Sequence, residues 1–274
     1  MSQERPRVPI AKLPLVYEMT GMDEVEVRAG LRFPGADGVD CELDLYLPAA
    51  AQGGAPPPAV VIVGGYPDPG LERRLGCRFM DMGWSTGWAR LLATCGIAAV
   101  TYANRDPAAD LVALLDHLRR TGERLGIDAR RVGLWASSGS APLALSQLMN
   151  DADRGLRCAA LGYGYTLDLE GGSEVAEAAR TFGFAYPAAG RSVADLSPDV
   201  PLFLARAGQD EMPGLNRSLD RFVARALESN LPVALVNHPT GPHAFDLVDP
   251  SSASRAIVRE ILAFLRLHLD AAPG

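Results

Sequence analysis

The chain is poor in the residues that most quickly assign a sequence to a class. Only four of its 274 residues are cysteine: Cys41, Cys77, Cys95 and Cys158. None forms a CxxC pair, which argues against a metal knuckle or a disulfide frame and for reduced, mostly buried thiols. Histidine is equally scarce, so imidazole chemistry has only His117, His238, His243 and His268 to draw on. Positive charge is in deficit: 26 Lys and Arg face 33 Asp and Glu, giving a net charge of −7 with no basic patch. Nucleic acid and anionic membrane surfaces are therefore not expected partners. No stretch of about 18 residues is apolar and free of charge or proline, so no transmembrane helix is expected. The opening residues, MSQERPRVPIAKLPLVYEM, lack the apolar core of a secretory signal. Together with reduced thiols, these absences make the cytoplasm the expected location.

What is present suits one large domain spanning 1–274. Hydrophobic residues make up 48% of the chain, enough for a sizeable core, and charged residues a further 22%. There are no repeats. The Pro/Gly/Ala-rich segment at 48–59 lies between two strand-like runs and reads as a loop within the domain.

Hydrophobic periodicity changes along the chain. EVEVRAGLRF (24–33) and CELDLYLP (41–48) alternate apolar and polar residues around a PGADGVD turn, as antiparallel strands do. AVVIVGG (59–65) is instead continuously apolar, the pattern of a strand buried on both faces. From there strands and helices alternate. A helical pattern at 87–96 precedes a strand at 97–103. Asp106 is suited to cap a helix over 107–126, with Pro107 at its first position. RVGLWA leads into a helix over 138–150, followed by strand LRCAALGYGY, strand 201–208, helix 214–230, strand 232–239 and a closing helix over 254–269. This alternation implies a parallel sheet with helices on both faces. Residues 166–200 break it. They hold one helix near 173–182 among Pro, Gly and polar residues, and read as a small cap-like excursion too short for its own core.

The junction at 131–145, RVGLWASSGSAPLAL, places three serines where a strand becomes a helix. A nucleophile elbow, G-x-S-x-G, needs small residues two positions either side of a serine in strained geometry. Centred on Ser138, the flanking positions are Ala136 and Ser140, the next smallest residues after glycine. Centred on Ser137, the first would be Trp135, whose indole crowds the turn. Ser138 is thus the candidate nucleophile and Ser137 the alternative; a serine cluster before a helix can also be a simple N-cap.

Among the histidines, His243 lies in PTGPHAFD, a loop after the last strand and before the last helix, where parallel-sheet proteins keep their chemistry. It is the candidate general base. His117 and His268 sit within helices, and His238 ends a strand, a position that suits a buried structural role. The carboxylate that would orient the imidazole is Asp210 in ARAGQDEMPG, with Glu211 adjacent and Asp168 a weaker alternative. Asp246, three residues past His243, is expected to cap or orient the final loop. Ser138, Asp210 and His243 follow the chain order Ser…Asp…His, each after a parallel strand. The loop GGYPDPG after the strand at 59–63 is expected to supply the Tyr66 N–H to an oxyanion hole beside the Gly139 N–H, with Gly65 letting backbone approach the substrate. Trp84 and Trp88 are candidate pocket walls, as are Met80, Met82, Tyr163, Tyr165, Phe182 and Phe184; Ser85 and Thr86 are candidate polar contacts.

At VVIVGGYP, VGLWASSGS, ARAGQDEMPG and PTGPHAFD the chain resembles the α/β-hydrolase superfamily, and within it the dienelactone-hydrolase-like branch. The resemblance spans about residues 24–268. It implies a mostly parallel eight-stranded sheet and ester or lactone hydrolysis by a triad, with a small-molecule substrate and no metal or organic cofactor; a homodimer is compatible with it. Dienelactone hydrolases carry cysteine where this chain has Ser138, so their particular lactone is not transferred. The same triad can support acyl transfer, lyase or cyclase chemistry, and a non-catalytic ligand-binding relative is the third expectation.

Overall fold

Val60 and Ile62 leave their strand on one side, and Ala59, Val61 and Val63 on the other; all five are buried in two separate apolar clusters. That period of two, applied to a continuously apolar strand, is what buries a sheet between two helical layers. In the computed structural model, residues 9–49, 55–150 and 155–270 are described; part of the 48–59 loop lies outside them.

Eight strands form one sheet: β1 (Glu26–Pro34), β2 (Asp40–Leu47), β3 (Ala59–Ile62), β4 (Ala98–Tyr102), β5 (Val132–Ser137), β6 (Leu156–Gly162), β7 (Leu202–Ala207) and β8 (Val233–His238). Their spatial order is β1-β2-β4-β3-β5-β6-β7-β8. β1 and β2 pair antiparallel, as does β2 with β4; every other neighbour is parallel. β5 stands near the middle, its six residues all buried.

Helices cover both faces. α2 (Gly83–Thr94) and α8 (Ser252–Asp270) pack with Val60, Ile62, Trp135 and Phe203. α3 (Pro107–Leu125), α4 (Ala141–Met149) and α6 (Leu215–Glu228) pack with Val61, Leu134, Leu161 and Leu204. α4 is buried along its whole length, matching its nearly unbroken apolar sequence. Trp88 and Trp135 meet at 4.5 Å between ring centroids in the first layer.

The expected 138–150 helix is divided into a 3-10 turn, Ser138–Ser140, and then α4. α2 starts four residues before its expected position. A helix not read from the sequence, α1 (Asp68–Leu75), follows the GGYP loop. Pro67, Pro69 and Gly70 there read as a turn, yet proline is tolerated in a first helical turn, whose N–H groups have no partner to lose. The excursion carries α5 (Glu174–Phe182). Its Leu167, Leu169, Ala188, Val193 and Leu196 join the main core, while Val175, Ala178 and Phe184 form a satellite cluster with Tyr165 and Leu215 of α6.

Asp106 caps α3 by accepting hydrogen bonds from the Ala108 and Ala109 N–H groups at 3.1 and 3.2 Å. Asp106→Ala is expected to cost about 1 kcal/mol, lowering the thermal midpoint by about 2–4 °C in a melt.

Candidate active site

β5 carries the chain to the carboxyl edge of the sheet, and the next residue, Ser138, takes φ +52°. A left-handed serine costs roughly 1–3 kcal/mol and persists only where its surroundings enforce it. They do so by close packing. A Cβ on Gly65 would lie 2.6 Å from Ser140 Cα, and one on Gly164 would collide with the Ala141 methyl. The Tyr165 N–H donates to the Ser138 carbonyl at 3.2 Å. Ser137, by contrast, is the extended end of the strand, at φ −137° and ψ 160°. Its side chain faces Tyr163.

Three distant segments meet at this turn. Ser138 Oγ is 3.0 Å from His243 Nε2, and His243 Nδ1 is 2.7 Å from Asp210 Oδ2. The Asp210 side chain has no solvent exposure, while that of His243 retains 28%. Asp210 uses its second oxygen to accept the Met212 N–H at 2.9 Å. A carboxylate on Nδ1 assigns the proton to that nitrogen and leaves the Nε2 lone pair facing the serine. Ala244, next to His243, is left-handed at φ +56°, which turns the chain sharply into the short helix α7 (Phe245–Val248).

Tyr66 enters the site by its side chain. Burial raises its phenol pKa, and interactions with the Ser138 side chain and the Gly139 backbone oppose that rise. A Cβ on Gly139 would strike the phenol oxygen and approach the Phe184 ring at 2.5 Å, so only glycine fits between them. The sequence points to the Tyr66 backbone N–H, whereas the fold also lays the Tyr66 ring over the elbow, an orientation the GGYP motif does not encode. Gly65, expected against substrate, instead donates its N–H to Ser140 Oγ at 2.9 Å and accepts the Ala185 N–H at 2.8 Å, tying the elbow to the excursion.

Ser138 and His243 open into a cavity of about 350 Å³ with mostly apolar walls. Trp84, Met82 and Phe182 line it, as do Leu71 and Leu75 of α1, a helix the sequence does not reveal, and Phe79 of the 3-10 turn Phe79–Asp81. Phe79 is held by Asp68, a buried carboxylate that accepts the Phe79 and Asn104 N–H groups, each at 2.8 Å. Burial pushes the Asp68 carboxyl up from its ordinary pKa. Trp88 and Met80 are absent from the lining. Tyr165 and Phe184 stack on each other at 5.3 Å, and Ser85 and Thr86 donate to the Phe79 and Met82 carbonyls within the scaffold.

The remaining candidates have other partners. Glu211 is exposed. Asp168 accepts the Val175 and Ala176 N–H groups at 2.8 and 2.9 Å and so caps α5. His238 is buried, with Nε2 3.0 Å from both Asp249 and Ser254. His117 packs near Phe33 and His268 against Phe264. Asp246 is a fully buried carboxylate with three donors: Tyr163 Oη at 2.7 Å and the Trp84 and Trp88 indole N–H groups at 2.8 Å each. Burial raises its pKa and the three donors oppose the rise. Tyr163 in turn meets the His243 ring edge-on at 5.1 Å, so Asp246 fixes one of the walls that hold the imidazole. Among the described residues, no group of three or more His, Cys, Asp or Glu could hold a metal, and no helix is long and apolar enough to cross a membrane.

Comparison with known proteins bears on the fold. No protein-family model matches the chain, and no curated protein matches it by sequence. Solved structures do match. Esterase LipW from Mycobacterium marinum superposes with a TM-score of 0.67 at 20% identity, over 90% of this chain and 83% of that one. A bacterial heroin esterase gives 0.67 at 18%, over 93% and 88%. Carboxyl esterase 2 from Tuber melanosporum gives 0.66 at 18%, over 97% and 93%. With the strand order above, these matches define an α/β-hydrolase fold. The chain is an eight-stranded member of that architecture.

Asp246→Ala would strand three buried donors, each costing about 1–3 kcal/mol. The thermal midpoint is expected to fall by about 6 °C or more, a larger loss than that of a helix cap.

Proposed function

We propose that the protein is a serine hydrolase that cleaves a carboxylic ester or lactone through an acyl-enzyme. The observation that carries this reading is the continuous hydrogen-bonded series Ser138–His243–Asp210, open to an apolar cavity at the hydroxyl end. The esterase names of the structural neighbours are consistent with it, and the likeness of PTGPHAFD to the dienelactone-hydrolase-like branch is the source of the lactone half of the proposal.

His243 Nε2 takes the proton of Ser138 as Oγ bonds to the substrate carbonyl carbon. The carbonyl π pair moves onto oxygen, forming a tetrahedral oxyanion. Asp210 stabilises the resulting imidazolium and keeps its tautomer. We assign the oxyanion to the Gly139 N–H and the Tyr66 hydroxyl, which lie against each other at the elbow beside Ser138. Collapse of the intermediate breaks the carbon–oxygen bond to the alcohol, which leaves with the proton from His243. Water then repeats the sequence on the acyl-enzyme: His243 removes its proton, and Ser138 departs with that proton restored. The hydrocarbon walls around Ser138 lower the local dielectric and strengthen each of these charge interactions. Four free thiols, two of them buried, accord with the cytoplasm as the proposed location.

Hydrolysis of p-nitrophenyl butyrate tests the assignment. Ser138→Ala is expected to lower kcat by about 10⁴-fold or more, and Ser137→Ala far less. Tyr66→Phe is expected to lower kcat by roughly 10²-fold with little change in KM, because its hydroxyl is most needed by the transition state. Loss of turnover in Ser137→Ala with retention in Ser138→Ala would reassign the nucleophile.

A further inference from the structure

The cavity has one wall that comes from far away in sequence. Ile10 lines it from a short 3-10 turn, Ile10–Lys12, although every other described lining residue lies between Tyr66 and Leu247. Ile10 is 48% exposed, a large aliphatic side chain left half uncovered on the cavity lining it shares with Leu75 of α1, also exposed. On ordinary energetic grounds such a residue gains nothing from its position in the free protein, since exposed apolar area is stabilised only when something covers it.

The segment that presents Ile10 is held in three ways. First, α2 gives it a seat without side chains. Gly83 and Gly87 lie one helical turn apart on the same face; a Cβ on Gly83 would be 2.5 Å from the Leu13 carbonyl oxygen, and one on Gly87 would be 3.0 Å from Leu15 Cγ. Leu15 fills the space so left and is buried against the core. Second, the Val16 N–H donates to the Asp246 carbonyl at 2.8 Å, three residues beyond His243. Third, Arg255 of α8 donates to the Val16 carbonyl at 3.0 Å. The same α2 turns that seat Leu13 and Leu15 carry Trp84 and Trp88, which hold the Asp246 carboxylate. The segment is thus fixed to the histidine loop itself.

We infer that residues 9–16 form the outer wall of the substrate pocket and that Ile10 sets the length of apolar chain the site accepts. This rests on the hydrolase reading above and gives it a substrate class: esters whose variable group is uncharged, apolar and of medium length. The cavity, about 350 Å³, lies near the small end of the roughly 300–1,000 Å³ range of ligand pockets. Among the described residues no carboxylate lines it, and the one guanidinium there, Arg74, donates to the Phe182 carbonyl at 2.9 Å. A charged substrate tail would find no built partner, whereas a hydrocarbon tail leaving the Ser138 end would cover Ile10 and Leu75.

The test compares wild type with Ile10→Ala and Ile10→Phe across p-nitrophenyl esters from acetate to dodecanoate, and across acetates of alcohols from ethanol to dodecanol. The readout is the ratio of kcat/KM for a ten-carbon chain to that for a four-carbon chain. Ile10→Ala is expected to raise it by about fivefold or more and Ile10→Phe to lower it by a similar factor; the series that responds identifies whether the acyl or the alcohol group meets the wall. Gly83→Ala, which pushes Leu13 off α2, is expected to act in the direction of Ile10→Ala. Binding of decanol and butanol, followed by the fluorescence of Trp84 in the cavity, gives a readout independent of turnover. Ile10→Phe is expected to weaken decanol about fivefold relative to butanol. Ratios unchanged within twofold in both Ile10 variants, in the ester series and in the alcohol titration, would overturn the inference. An absence of ester turnover with the alcohol selectivity intact would overturn the hydrolase reading and leave the wall standing.

Discussion

A 3.0 Å hydrogen bond joins Ser138 to His243, residues 105 positions apart. It exists only if β5 and β8 deliver their following loops to the same edge of the sheet. That requirement falls on parallel pairing. Each strand from β5 to β8 runs in one direction, so every loop after it emerges at one rim. The left-handed backbone of Ser138 and of Ala244 then aims hydroxyl and imidazole at one another across that rim. Each of these geometries is locally unfavourable for an L-residue, and that of Ser138 is held by the close approach of Gly65 and Gly164 to the elbow.

The second organising group is the buried carboxylate of Asp246. A charge with no water around it is costly unless donors surround it. Here two indoles and a phenol do so, and each is also part of the site's architecture: Trp84 lines the cavity, Tyr163 braces His243, and Trp88 anchors α2 to the sheet through Trp135. The backbone carbonyl of the same residue holds the segment that begins at Ile10. Alignment of the imidazole and shaping of the pocket are therefore coupled through one residue. This coupling explains why an aspartate, and not a smaller polar residue, suits the position three residues past the histidine.

The legible parts of the sequence were those with local signals. Period-two alternation marked β1 and β2, a continuous β-branched run marked β3, and the alternation of short apolar segments with helical patterns marked the other five; Asp106-Pro107 marked the start of α3. That Ser138, Asp210 and His243 meet at one rim was legible because each follows a strand and their chain order restricts the topology. What was hidden depended on tertiary contact. α1 was masked by Pro67, Pro69 and Gly70, whose turn chemistry is equally the chemistry of a helix start. The orientation of the Tyr66 phenol has no sequence correlate, since backbone and side chain leave the same residue. Trp88 lies one turn from Trp84 and reads identically, yet only Trp84 reaches the cavity. The place of Ile10 follows from how residues 13–16 dock on α2 and α7, which no spacing within a short, proline-flanked segment could reveal.

The relay of hydroxyl, imidazole and carboxylate is tested most directly by its chemical consequence at one oxygen. Treatment with a fluorophosphonate, followed by tandem mass spectrometry of the peptide containing residues 131–145, locates the modified atom. A stoichiometric adduct on Ser138, abolished in the folded His243→Ala variant, is the result that Ser138–His243 coupling predicts. An adduct on Ser137 or Ser140, or a Ser138 that reacts equally well without the imidazole, would contradict it.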